Sequence, residues 1–121
     1  MSKTILIVDD SESIREIMNY TLENAEYNVL VGNDGEHAQS FLDGTPINLI
    51  ITDLNMPKKN GIELIKEIRQ KEDYKYTPIL VLTTESQVSK KQEAKEAGAT
   101  GWIVKPFVTD KLLSVVQKVI R

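Results

Sequence analysis

The sequence predicts a doubly wound α/β fold: a five-stranded parallel sheet in the order 2-1-3-4-5, flanked by five helices. Two observations carry that expectation. Five short runs rich in Ile, Leu and Val alternate with segments whose apolar residues recur at helical spacing, and the connections between them are short. Several of the apolar runs also stop abruptly at a polar residue, at Asp9, Asp53, Thr83 and Lys105. In an open α/β sheet the carboxyl ends of the strands are where ligands bind, so these four residues are placed for chemistry rather than packing.

Thr4–Val8 is an unbroken β-branched and aliphatic run, the pattern of a parallel strand covered on both faces, and is expected at the centre of the sheet. Asp9-Asp10-Ser11 ends it and caps a helix with Ile14, Ile17, Met18 and Leu22 at helical spacing. Tyr27–Val31 reads as the second strand. Asn33-Asp34-Gly35 then turns the chain into a helix carrying Ala38, Phe41 and Leu42 on one face, stopped by Asp43-Gly44-Thr45-Pro46. Leu49–Thr52 is the third strand, ending at Asp53. The loop from Asn55 to Gly61 is held by Pro57 and Gly61 and carries Lys58 and Lys59. It leads to a helix with Ile62, Ile65 and Ile68 inward and Glu63, Lys66, Glu67 and Arg69 outward.

Pro78 marks the start of strand four, Ile79–Leu82, which ends at Thr83-Thr84-Glu85. The fourth helix, from about Val88 to Ala97, has only Val88, Ala94 and Ala97 as apolar side chains. It buries little and is expected to be weakly held. Gly98 ends it, and Trp102–Val104 forms strand five before Lys105-Pro106. The last helix, capped by Thr109 or Asp110, carries Leu112, Leu113, Val115, Val116, Val119 and Ile120, a stripe wider than one sheet face hides. The surplus, Leu113 and Ile120, is expected as a partner surface beside helix four.

Composition narrows the function classes. At 121 residues the chain matches one ordinary domain. A charged fraction of 27% with a net charge of −3 gives no basic field to attract nucleic acid or an anionic membrane. The absence of cysteine excludes a disulfide framework and a thiolate zinc site, and fits a reducing compartment. The longest apolar run is a strand's length, far below the roughly 18 residues of a membrane span. No signal-peptide pattern follows Ile5-Leu6-Ile7-Val8, so a cytoplasmic location is expected.

If the strand order is 2-1-3-4-5, strands one and three are neighbours, and Asp9, Asp10 and Asp53 converge at the switch point between them. Such a cluster repels itself, and a hard divalent cation is its natural compensation. Magnesium fits, because it keeps several waters and needs few carboxylates, whereas the acid-rich calcium loop is absent. Separately, each residue has a plainer role: Asp10 or Thr83 as a helix cap, Asp9 and Lys105 solvated, Asp53 as a turn former. Together, a metal, a lysine and a hydroxyl around one carboxylate are the equipment for stabilising a phosphoryl group on that carboxylate. Aspartate is a known nucleophile for such chemistry.

The ordered set Val8-Asp9-Asp10, Thr52-Asp53-Leu54-Asn55-Met56-Pro57, Thr83 and Gly101-Trp102-Ile103-Val104-Lys105-Pro106-Phe107 resembles the receiver domains of two-component response regulators, the single-domain CheY type above all. The likeness runs from Ile5 to the last helix. It implies Asp53 as phosphoacceptor and a Mg2+ site made by Asp9, Asp10, Asp53 and the backbone carbonyl of Asn55. It further implies Thr83 as the switch hydroxyl, Lys105 as the cation that contacts the phosphoryl group, and a cis peptide between Lys105 and Pro106. The implied partners are a histidine kinase as phosphodonor and a downstream effector protein, such as a flagellar motor component or a phosphotransfer protein. Trp102 stands where the family usually has Tyr or Phe, the aromatic that turns inward when the switch hydroxyl moves. Thr84 stands where Ala or Gly is frequent, and with Glu85 and Asn55 it flanks the mouth of the site as a modulating residue. His37 is expected to face solvent, and Lys90, Lys91 and Lys95 to form a solvated helix face.

The resulting reading is a single receiver domain over residues 1–121 with no output domain, a monomer or a phosphorylation-dependent dimer. It takes part in its own phosphorylation and slow dephosphorylation without being a conventional enzyme, and signals through the face made by helix four, strand five and helix five. Chemotaxis is the expected context, with relay of the phosphoryl group to another histidine as the alternative. A phosphohydrolase with an aspartyl nucleophile is disfavoured, because the residue two after Asp53 is Asn55, which cannot transfer a proton. A flavin carrier of the same fold is disfavoured because Asp9-Asp10-Ser11-Glu12 would repel its phosphate.

Overall fold

The computed structural model describes residues 2–56, 59–84 and 89–120, so the expectations for Pro57, Lys58, Glu85 and Val88 lie outside the described residues. The chain runs β1 (Thr4–Val8), α1 (Glu12–Asn24), β2 (Asn28–Gly32), α2 (Gly35–Gln39), β3 (Leu49–Asp53), α3 (Gly61–Gln70), a 3-10 turn (Glu72–Tyr74), β4 (Ile79–Thr83), α4 (Lys90–Ala97), β5 (Gly101–Val104) and α5 (Thr109–Val119). The strands form one sheet in the order β2-β1-β3-β4-β5, every pairing parallel. No helix among the described residues is long and apolar enough to cross a membrane.

Strand alternation divides the core in two. Leu6, Val8, Ile50, Ile79 and Val81 face one side and pack with Leu64, Ile65 and Ile68 of α3 and Ala94 of α4. Ile5, Ile7, Leu49, Ile51, Leu80 and Leu82 face the other and pack with Met18 and Leu22 of α1 and Leu112 and Val116 of α5. Because both faces are covered, the strands need no polar positions until their last residues. The register Val8↔Thr52, Asp53↔Leu82 and Thr83↔Val104 then brings Asp9, Asp53, Thr83 and Lys105 to one edge of four adjacent strands.

Several local expectations are corrected. Strand two begins at Asn28, because the Tyr27 N–H closes the end of α1 onto the Leu22 carbonyl (3.1 Å) and is not free for the sheet. Helix α2 stops at Gln39, short of Phe41 and Leu42. Ser40, Phe41 and Leu42 instead donate to the carbonyls three residues back, so the chain tightens there. Ile17 is 46% exposed, and Leu64, not Ile62, completes the inward face of α3. Neither Thr109 nor Asp110 caps α5. The extended Val108 precedes the helix with no side-chain cap, and Thr109 is already its first residue. Leu113 lines a groove against Ile17, Tyr20, Thr21 and Asn24 of α1, so the surplus apolar surface of α5 turns toward α1 rather than α4. Ile120 sits at the opposite end of the sheet, with Tyr76, Pro78 and Thr100. The weak burial of α4 is as expected, for only Ala94 is buried.

Candidate functional site

Four of the five strands, β1, β3, β4 and β5, each deliver one candidate residue just as the hydrogen-bonded ladder ends. Asp9 is completely buried, so it is not the solvated acid of the plainer reading. Its Oδ1 accepts from the Ser11 N–H (2.8 Å) and its Oδ2 from Lys105 Nζ (3.0 Å). Ser11, not Asp10, caps α1, accepting from the Ile14 N–H, and this leaves Asp10 exposed at the rim. Asp53, only 6% exposed, keeps Oδ1 on the Leu54 N–H (2.8 Å) and turns Oδ2 toward Lys105 Nζ (3.3 Å).

Lys105 is thus not the solvated lysine of its plainer reading. Its ammonium sits between two buried carboxylates, with its backbone N–H on the Thr83 carbonyl (2.5 Å), and the peptide to Pro106 is cis. Burial pushes the Asp53 carboxyl above its ordinary range and the charge of Asp9 adds to the rise, while Lys105 offsets only part of it. For Lys105 burial acts downward, yet the attraction of Asp53 and Asp9 outweighs it and holds the ammonium above the usual lysine value.

Thr83 is fully buried, and its Oγ1 is the single buried side-chain polar atom among the described residues with no hydrogen-bond partner. A hydroxyl so stranded costs about 1–3 kcal/mol relative to a satisfied one. The hydroxyl therefore adds nothing to the stability of the resting fold.

One oxygen from each of Asp9, Asp10 and Asp53 can be drawn from a group whose members lie within 4.8 Å of one another. All the donors are hard oxygens, two of the three carboxylates are buried, and one cation already sits among them. That set fits a hydrated Mg2+ better than a soft or nitrogen-seeking metal. Asn55, the expected carbonyl donor, is exposed on the loop just after Asp53. Gly61 closes that loop. Its N–H donates to the Leu54 carbonyl (2.9 Å), and a Cβ there would lie 2.2 Å from the Asp53 carbonyl oxygen.

Trp102 is 42% exposed, so it is not simply packed, and Lys91 Nζ stands 4.9 Å from its ring centroid. Lys91 is therefore not part of a plain solvated face, unlike the exposed Lys90 and Lys95. His37 is exposed as expected, its Nδ1 accepting from the Asn33 N–H. Thr84 is half-buried beside Thr83.

Two contributors escape a motif reading. Arg15 donates to the Asp9 carbonyl (2.8 Å), reachable because side chains on a helix lean toward its amino end. Arg69, expected outward, lies half-buried and binds the carbonyls of Gly98, Tyr74, Lys75 and Thr77, pinning α3 to the end of α4. A lone arginine near the end of an amphipathic helix gives no warning of this.

Comparisons with known proteins agree with this geometry. Residues 5–117 match the family described as the response regulator receiver domain. The chain is 37% identical over 116 residues to chemotaxis protein CheY-3 of Vibrio cholerae, covering 95% of this chain and 89% of that protein. It is 36% identical to the alkaline phosphatase synthesis transcriptional regulatory protein PhoP of Bacillus subtilis, covering 100% of this chain and 50% of that protein. The chain thus spans about half the length of the transcriptional regulators it matches. Among solved structures, the chemotaxis response regulator CheY4 of Vibrio cholerae superposes with a TM-score of 0.93 at 45% identity, covering 98% of this chain and 99% of that one.

Proposed function

Because this chain belongs to the response regulator receiver domain family, we propose that it is a phosphorylation-activated signalling switch in which Asp53 accepts a phosphoryl group from a histidine kinase. A carboxylate oxygen of Asp53 forms the new bond to phosphorus as the bond from phosphorus to the donor's imidazole nitrogen breaks, and the imidazole leaves with the electron pair of that bond. Lys105, already within 3.3 Å of Asp53, neutralises charge on the transferred oxygens. Asp9 holds Lys105 in place and, with Asp10, Asp53 and the Asn55 carbonyl, would hold Mg2+. When bound, that ion supplies charge neutralisation and orientation of the phosphoryl oxygens. Thr83 then donates its unsatisfied hydroxyl to the new phosphoryl oxygens.

The observation that carries this reading is the pairing of a cation shared by two buried carboxylates with a neighbouring buried hydroxyl that has no partner. The differential contact that phosphorylation adds falls on Thr83, whose strand abuts the weakly packed α4 and the exposed Trp102. A population shift of the α4-β5-α5 face follows from it. Output passes by protein contact in the cytoplasm. Chemotaxis is the favoured context, since the chemotaxis response regulator CheY4 is 45% identical over 98% of this chain, against 36% for the transcriptional regulator PhoP. Relay to another histidine would use the same chemistry in reverse.

The test is addition of Mg2+ and a small phosphodonor to the parent protein and to Asp53→Asn, with covalent phosphate measured by mass spectrometry and Trp102 fluorescence followed in parallel. Phosphate incorporation and a fluorescence change in the parent alone are expected. Equal changes in both proteins would overturn the reading.

A further inference from the structure

The loop between β3 and α3 carries Asn55, and its two ends are fixed by the strand and by the Gly61 N–H bond to Leu54. Lys59, near the helix end of the loop, is held from the side by residues with no part in phosphoryl chemistry. The Lys59 ammonium pairs with both carboxylate oxygens of Glu67, two turns into α3. Gln39, the last residue of α2, donates its amide to the same two oxygens at 2.9 and 3.1 Å. The backbone of Lys59 also lies directly on Gly35, where an added Cβ would come within 2.7 Å of the Lys59 carbonyl oxygen. Lys59 is 19% and Glu67 36% exposed, so the pair is partly withdrawn from solvent screening.

We infer that Lys59, Glu67 and Gln39 form a clamp that positions the β3–α3 loop so that Asn55 can present its carbonyl to the divalent cation. Lys59 and its partners are positioning residues, since none of them supplies a ligand atom. This rests on the metal reading of the site proposed above. A partner that orients a metal ligand directly is worth about 10–100-fold in affinity. A clamp four residues along the chain from Asn55 acts less directly, and about three- to tenfold is expected from it.

Charge alone and positioning make opposite predictions for Lys59. Removing a cation from the neighbourhood of an acidic site tightens Mg2+ by electrostatics, whereas releasing the loop weakens it. The experiment is calorimetric titration of the full chain with Mg2+ for the parent, Lys59→Met, Lys59→Arg and Glu67→Gln. Amide hydrogen exchange over residues 54–61 is read in the metal-free proteins, with the melting midpoint as a folding control. The inference expects Mg2+ affinity to fall three- to tenfold in Lys59→Met and Glu67→Gln, exchange in the loop to quicken, and Lys59→Arg to recover most of both. Parent-like or tighter Mg2+ binding by Lys59→Met would overturn the clamp while leaving the proposed function intact. A parent protein that does not bind Mg2+ at all would overturn both.

Discussion

Replacing Thr83 with valine separates what the hydroxyl does for the resting fold from what it does for the switch. The side chain is fully buried and its Oγ1 meets no partner, so the resting protein bears the desolvation of that hydroxyl without a compensating bond. Valine has the same shape with a methyl group in place of the hydroxyl. Removing an unsatisfied polar group in this way is expected to stabilise the resting state by about 1–2 kcal/mol, the lower part of the range for such groups. For a domain of 121 residues that is a rise in melting midpoint of roughly 3–10 °C. The same change removes the donor that would follow the new phosphoryl oxygens. Thr83→Val should therefore still take up phosphate on Asp53 while losing most of the Trp102 fluorescence response. Thermal unfolding without divalent metal, together with a phosphodonor titration read by Trp102 emission, covers both halves. A lowered melting midpoint would mean the hydroxyl has a resting partner. A full Trp102 response would mean the signal leaves Asp53 by another route.

Asp53→Asn should stabilise the metal-free protein at neutral pH, and the pH dependence has a definite sign. Asp53 has its folded value raised above 3.8, so as pH climbs past 3.8 the unfolded chain releases this proton first and stability falls. The advantage of Asp53→Asn over the parent in chemical denaturation should therefore be absent below about pH 3.8, appear above it and level off beyond the raised folded value. An advantage independent of pH would contradict the assignment. Lys105→Met leaves Asp9 and Asp53 facing each other without their shared cation. It should cost about 3 kcal/mol in metal-free urea unfolding at pH 7, with part of the loss recovered on adding Mg2+. Gly61→Ala drives a Cβ to within 2.2 Å of the Asp53 carbonyl and 2.9 Å of Leu54 Cα, both backbone atoms that cannot rotate aside. A loss of about 3 kcal/mol and slowed phosphorylation are expected, checked by denaturant midpoint and the rate of phosphate incorporation. Arg69→Ala removes the guanidinium from the carbonyls of Gly98, Tyr74, Lys75 and Thr77, and should lower stability to urea by about 2 kcal/mol while leaving phosphate uptake by Asp53 intact.

The legible parts of this chain are those where one residue's chemistry and its place in the chain say the same thing. The strands could be read because both sheet faces are covered, which makes each strand a continuous apolar run with a polar stop. The stop residues Asp9, Asp53, Thr83 and Lys105 come together at one edge of the sheet. The pocket's internal wiring was not legible. Nothing in the order of residues says that Lys105 pairs more closely with Asp9 than with Asp53, or that Ser11 takes the cap and frees Asp10, since these depend on rotamers chosen after the strands align. Long side chains defeat a face-by-face reading for a related reason. Lys59 and Arg69 belong to a polar loop and a polar helix face, yet each reaches across to a neighbouring element, Lys59 to Glu67 and Arg69 to the Gly98 carbonyl. Periodicity records where a Cβ points, not where a charge four bonds further out comes to rest. The two ends of α4 show the result. Its sequence buries almost nothing beyond Ala94, so a reading by apolar periodicity leaves it loosely held throughout, whereas Arg69 pins its carboxyl end through Gly98. The fastening comes from a side chain on another helix, so nothing in the residues of α4 itself announces it.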